Sequence, residues 1–214
     1  MAGRRPGKEE SMEKRIFTIG RQYGSGGRLI GEKLAESMGI PLYDQKLITE
    51  TARACGYGEG IIENYDEKPM NSLLYSTAMG YLGGFSTKVT VPIPVQTFLA
   101  QYQTILDLAE KEARGCIFVG RCADYVLRDR SDVINVFVVA PESARIWRIQ
   151  GYDNLNAEQA ANKMRQVDRM RSSYYNYYTE QKWGEAANYH LCIDSEKFGI
   201  EGAAALIEAF SSKC

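Results

Sequence analysis

Residues 15–31, RIFTIGRQYGSGGRLIG, put an apolar run directly before a glycine cluster and the start of an amphipathic stretch. Strand, glycine turn and helix in that order is the local setting of a phosphate-binding loop. Glycines let the backbone approach a ligand closely and take positive φ. The first amides of the helix converge on one point, and the helix dipole adds partial positive charge there. The competing explanation for the same glycines is a turn shaped only to pack a helix on a sheet.

Against the pattern GxxxxGK[ST], Gly26 takes the second glycine and Arg21 stands at the first. Gly27 then stands where the lysine belongs, and no Ser or Thr supplies the metal-binding hydroxyl. Gly24, Ser25, Gly26 and Gly27 keep a nest of amides, flanked by Arg21 and Arg28. A guanidinium neutralises phosphate and can do so bidentately.

Four further apolar runs, 40–43, 116–119, 133–139 and 189–193, join 15–19 as expected strands. Continuous apolar runs, as opposed to alternation, mark strands covered on both faces. Helical spacing is expected over 28–38, 45–55, 96–114, 143–150, 157–180 and 202–210. Strands alternating with helices predict a parallel α/β sheet. Residues 56–94 break the rhythm with GYGEG, KPM, YLGGF and VPIP, which reads as a functional insert.

In an open α/β sheet, ligands bind at the carboxyl ends of the strands. Asp44 ends the second run, as an acceptor or metal contact, as the N-cap of the next helix, or as both. Gly120, Arg121 and Asp124 follow the third run; Arg121 is read as a phosphate contact, with a salt bridge to Asp124 or Asp44 as the alternative. Arg145 and Arg148 lie one turn apart after the fourth run, and Arg165, Asp168, Arg169 and Arg171 share the long helix beyond. Arg165 and Arg169 share one face, where like charges repel unless an anion sits between them. Asp168 is expected to offset Arg165 and Arg171. The group reads as a lid over transferring phosphates, or as a solvated face.

Tyr174, Tyr175, Tyr177, Tyr178 and Trp183 read as core or interface residues, with stacking on single-stranded nucleic acid as a weaker alternative. His190, the single histidine, reads as structural. The net charge of −1 disfavours nucleic acid as the main partner. No apolar run reaches membrane-spanning length, and residues 1–14 lack the core of a signal peptide. A floppy lead-in and a cytoplasmic location are the resulting expectations. Five scattered cysteines with no CxxC pair give neither a metal pattern nor a disulfide framework. Cys116 and Cys192 are expected to be buried thiols.

Three segments taken together, TIGRQYGSGGRLIGEKLAESMGIPLYDQKLI, IFVGRCADYVL and QVDRMRSSYYNYYTEQKWGEAANYHLCID, resemble the cytidylate kinase-like family of the P-loop nucleoside monophosphate kinases. The resemblance spans about residues 15–210. It implies a P-loop NTPase-type three-layer α/β fold with a five-stranded parallel sheet, an acceptor-side helical insert at 56–94 and an arginine-rich lid at 153–184. Residues 15–214 would form one domain. The resemblance also implies ATP as donor, Mg2+ as cofactor, and a nucleoside monophosphate or similar small acceptor. By position, Arg21 and Gly24 to Arg28 would hold donor phosphates. Asp44, Arg121 and Asp124 would hold the acceptor. Arg145, Arg148, Arg165, Asp168, Arg169 and Arg171 would form the lid. The catalytic set would be Arg28, Asp44, Arg165, Arg169 and Arg171. Cytidylate kinases keep the loop lysine and hydroxyl that this chain lacks, so a catalytically weak nucleotide-binding sensor or scaffold is the alternative. The apolar and aromatic stretch 81–98 suggests a homodimer.

Overall fold

A computed structural model describes residues 14–54 and 93–213. The first thirteen residues of the expected lead-in, residues 56–92 of the expected 56–94 insert, and Cys55 and Cys214 lie outside the described residues.

Five parallel strands form one sheet: β1 (Arg15–Arg21), β2 (Leu42–Tyr43), β3 (Gly115–Val119), β4 (Val133–Val139) and β5 (Leu191–Asp194), in the order β2-β3-β1-β4-β5. β1 is central, with Ile16 opposite both Cys116 and Val133 and Ile19 opposite both Val119 and Val136. That position demands an apolar sequence on both faces. Phe17 and Ile19 face one core with Ile30, Leu34 and Ile207; Ile16 faces the other with Ile48, Ile105 and Phe118. Each such side chain, fully buried, contributes roughly 1.5–3 kcal/mol. The buried Thr18 breaks the apolar run without penalty, because its hydroxyl donates to Asn135 Oδ1 at 2.7 Å.

Six helices of ten residues or more are described: α1 (Gly27–Met38), α2 (Gln45–Ala54), α3 (Ile93–Lys111), α5 (Glu142–Asp153), α6 (Ala157–Thr179) and α7 (Ser195–Ser211). A short α4 (Ala123–Val126) follows β3. The capping box of Asn156 and Gln159 starts α6. No helix among the described residues is long and apolar enough to cross a membrane.

Three expectations are corrected. β5 begins at Leu191, because Ala186–Asn188 form a 3-10 turn and Tyr189 packs its ring on Phe137. α7 begins at Ser195, well before 202, because Asp194 caps it and Gly199 kinks it. Cys192 is exposed, since alternation along edge strand β5 turns Ile193 to the core and Cys192 away. Cys116 is buried as expected, and desolvation pushes its thiol up to about 12.

Candidate active site

The loop between β1 and α1 is shaped by residues that bind its carbonyls. The Arg21 carbonyl accepts from Arg171 Nη1 at 3.3 Å, Tyr23 from Arg145 Nε at 2.7 Å, and Gly24 from Arg148 Nη1 at 3.4 Å. The Ser195 hydroxyl donates to the Ser25 carbonyl. A trans peptide points its N–H opposite its C=O. Tethering these carbonyls to α5, α6 and α7 therefore turns the Gly24 and Gly26 amides away from those helices. The first-turn amides of α1 have no intrahelical acceptor. Ser25, counted in the expected nest, falls out of it: it is fully buried, donates its N–H to the Gln22 carbonyl at 3.3 Å and does not line the cavity beside the loop. Gly24 has φ +76, and a Cβ there would lie 2.8 Å from the Arg145 carbonyl oxygen, so the loop sits directly on α5.

These contacts divide the residues expected to form a lid. Asp168 pairs with Arg145, and not with Arg165 or Arg171 as expected. Asp168 Oδ1 also accepts from the Tyr23 N–H at 2.8 Å. Arg148 spans Gly24, Ser195 and Glu196. Arg165 is exposed, bonded to Asn162 at 2.8 Å and 3.6 Å from Glu142, and Arg169 is exposed too. Helical phase explains the split: Met164, Asp168, Arg171 and Tyr175 form the inward stripe of α6, and residues one position later turn out.

A cavity of about 720 Å³ opens beside the loop, within the range of ligand pockets. Gly24, Gly26, Gly27 and Arg28 line one side; Asp44, Lys46, Thr49 and Glu50 line another; Arg21, Tyr152 and Arg171 also contribute. Asp44 caps the next helix as one of its two expected roles, its Oδ1 accepting from the Leu47 N–H at 3.1 Å, and it lines the cavity. Arg28 ties the two walls together, 3.1 Å from Glu32 and 3.3 Å from Asp44. Lys46, Thr49 and Glu50 were missed in the sequence. Their signal is the spacing i, i+3, i+4 after Asp44, one face of a helix. Tyr152 and Tyr23 were missed as well; burial and the Asp153 carboxylate push the Tyr23 hydroxyl up to about 12.

A second cavity of about 40 Å³ shares Arg21 and Arg171 with the first and adds Arg121, Cys122, Tyr174, Tyr175 and Trp183. Gly120, Arg121 and Cys122 are all left-handed, with φ of 82, 57 and 55. Such a run is costly for side-chain-bearing residues and aims Arg121 over the Tyr174 ring, 5.6 Å from its centroid. At Gly120 a Cβ would lie 1.9 Å from Arg21 Nη1, so only glycine lets that guanidinium lie across the strand end. Asp124 lines neither cavity. It is half-buried beneath Tyr175, whose hydroxyl donates to it at 2.6 Å, and desolvation raises its carboxyl despite that bond.

Of the tyrosines and the tryptophan expected in the core or an interface, all pack in the core except Tyr177, which is exposed because it falls on the outward side of α6. Phe98 stacks on Tyr178 at 4.1 Å, and Trp183 meets Phe137 edge-on at 5.4 Å. His190 Nδ1 accepts from the Asn135 N–H at 3.0 Å, a structural role.

Magnesium does not fit these residues as a resident ion. The position after Gly27 carries Arg28 in place of a hydroxyl, and that guanidinium engages Asp44.

A crystal structure of an uncharacterized protein from Eubacterium ventriosum is similar over 94% of this chain and 100% of its own, with 26% identity and a TM-score of 0.72. Shikimate kinase from Acinetobacter baumannii, in complex with shikimate, matches 97% of this chain and 98% of its own at 17% identity and a TM-score of 0.53. Shikimate kinase from Bacteroides thetaiotaomicron matches 93% and 98% at 11% identity and 0.52. At those two identities the likeness is one of fold: a P-loop kinase sheet. Among curated proteins none matches this sequence. The profile of the cytidylate kinase-like family matches residues 16–197, from β1 into α7 and so across every strand and both cavities. The chain belongs to the cytidylate kinase-like family.

Proposed function

We propose that the chain is a phosphotransferase that moves the γ-phosphoryl group of ATP to a nucleoside monophosphate or a similar small acceptor. The observation that carries this reading is one cavity with unlike walls: amides and a helix N-terminus on the loop side, and Asp44, Thr49 and Glu50 opposite. In the reaction the bond from the γ-phosphorus to the β–γ bridging oxygen breaks, and ADP leaves with that oxygen. A new bond forms to an acceptor oxygen. A hydroxyl acceptor gives up its proton, which Asp44 takes in this reading; a phosphate acceptor needs no base.

The loop amides and Arg28 hold the donor phosphates in this reading. Arg21 and Arg171, shared by both cavities, meet the charge of the transferring group. Arg121 meets the acceptor's anionic group from the smaller cavity. One such preorganised group is worth about 10²–10³ in turnover. Arg145 and Asp168 position the loop and touch no substrate. Arg165 and Arg169 take no part in the observed arrangement.

A second reading, a nucleotide-binding sensor or scaffold with little turnover, is favoured by Gly27 at the lysine position and by the engagement of Arg28 with two carboxylates. Purified full chain with ATP, with and without MgCl2, and a panel of nucleoside monophosphates, CMP first, separates the two. A diphosphate product resolved by chromatography supports transfer. ATP that protects the fold against heat while no acceptor is phosphorylated supports the sensor.

A further inference from the structure

We propose that Arg28 takes the place of the divalent cation, so that the chain binds a nucleotide's phosphates without a metal. The inference rests on the nucleotide-binding reading above and adds how the charge is met. In the Walker pattern the residue after the lysine position supplies a hydroxyl to magnesium. Here that residue is Arg28, a fixed positive charge at the point where the loop would otherwise recruit one.

The neighbourhood matches a cation that is covalently part of the chain. Asp44 and Glu32, the acidic groups nearest this point, are at 3.3 and 3.1 Å from the Arg28 guanidinium. The third cavity carboxylate, Glu50, faces Lys46 at 3.8 Å. Each acidic side chain that lines the cavity thus already has a cationic side chain beside it. A magnesium ion entering here would have to displace a guanidinium from Asp44 and would meet its positive charge at short range. The Arg28 side chain is 65% exposed and Asp44 is 15% exposed. The guanidinium is therefore open to an incoming phosphate, while the carboxylate holds it at the cavity wall. A guanidinium also offers phosphate a planar, bidentate set of donors, which an ion with its water shell does not. No proton moves in this step; Arg28 exchanges part of its contact with Asp44 and Glu32 for phosphate oxygens.

The test titrates ATP into the full chain by calorimetry, once in EDTA and once in excess MgCl2. It is repeated with Arg28→Ala and Arg28→Lys. Wild type is expected to bind ATP in EDTA within about threefold of its affinity in magnesium, since the charge-assisted bonds come from the chain. Arg28→Ala is expected to lose about tenfold or more in EDTA and to recover part of that with magnesium, the ion filling the vacated place. Arg28→Lys, which keeps the charge and loses the fork, should fall between.

Wild type that binds ATP only with magnesium overturns the proposal and leaves the nucleotide-binding reading standing. Arg28→Ala with wild-type affinity in EDTA overturns it as well. Wild type that binds no nucleotide in either buffer overturns the broader reading and this inference together. The EDTA-to-magnesium affinity ratio is taken within each variant, so a partly unfolded sample does not imitate the effect.

Discussion

Arg145 and Asp168 form an ion pair between α5 and α6 and hold both backbone polar groups of Tyr23, the carbonyl through Arg145 and the N–H through Asp168. The pair is largely buried, at 7% and 19% exposure. Removing one partner of such a pair strands the other charge and costs about 3–5 kcal/mol. Asp168→Ala should therefore lower the melting temperature by roughly 10 °C, at about 2–4 °C per kcal/mol for a chain of this size. Thermal unfolding followed by circular dichroism checks this. A drop of only a degree or two would mean that the pair does not hold the loop.

Two glycines on or beside the same helix should respond in opposite directions to alanine. Gly24→Ala forces a left-handed φ on a side-chain-bearing residue, about 1–2 kcal/mol, and drives Cβ toward the Arg145 carbonyl. Loss of both stability and ATP affinity is expected. Gly151, inside α5, has nothing within 4 Å of an added Cβ, so Gly151→Ala should stabilise by about 0.5–1 kcal/mol. Denaturant midpoints measured side by side decide the matter; a stabilised Gly24→Ala would refute the loop geometry.

Tyr175 and Asp124 give a pH signature. Burial holds the Asp124 carboxyl above its ordinary 3.8, so near and above that pH the folded chain binds more protons than the unfolded one. This group's contribution to stability is full at low pH. It declines as pH rises from the ordinary value through the raised one. The Tyr175 hydroxyl favours the carboxylate and limits that decline. In Tyr175→Phe the buried carboxylate loses a donor, at a cost of about 1–3 kcal/mol. The deficit relative to wild type should be larger at neutral than at acid pH. Urea unfolding across pH 4 to about 7 measures it, within the range where such a group titrates. A deficit independent of pH would assign it to packing alone.

Lys46 is the only lysine among the described residues that line the large cavity. Its contact with Glu50, 3.8 Å long between exposed groups, is of the kind worth at most about 1 kcal/mol. Lys46→Ala should leave the melting temperature nearly unchanged and weaken ATP about tenfold more than AMP, the loss following the outer phosphates. Titration of both nucleotides tests this, and equal losses for the two would remove Lys46 from phosphate recognition.

Much of the sheet was readable because a strand covered on both faces leaves a continuous apolar run, as in 116–119, and in 16–19 with Thr18 as its single break. The glycine loop was readable because its turn chemistry is local. Of the opposite wall only Asp44 was readable, from its place at a strand end; Lys46, Thr49 and Glu50 gain meaning only when β2 is brought beside β3 at the sheet's edge. The α6 arginines show the same limit. Spacing put Arg165 and Arg169 on one face, but Met164, Val167 and Met170 are scattered enough that no apolar stripe declares which face is inside. Asp168 was readable as a counter-charge. Its partner, Arg145, lies on another helix, out of reach of any local pattern.

Helix α6 touches the β1–α1 loop through Asp168 and Arg171 and the β3 corner through Tyr174 and Tyr175. These four residues lie within about two turns of one helix. The two cavities are thus bolted to a single stiff rod. Tilting that rod to admit a ligand to one cavity also tugs on the loop that lines the other, so filling one cavity should alter how fast the other empties. A lineage that reshaped this helix for a new ligand would have to retune the loop in the same stroke.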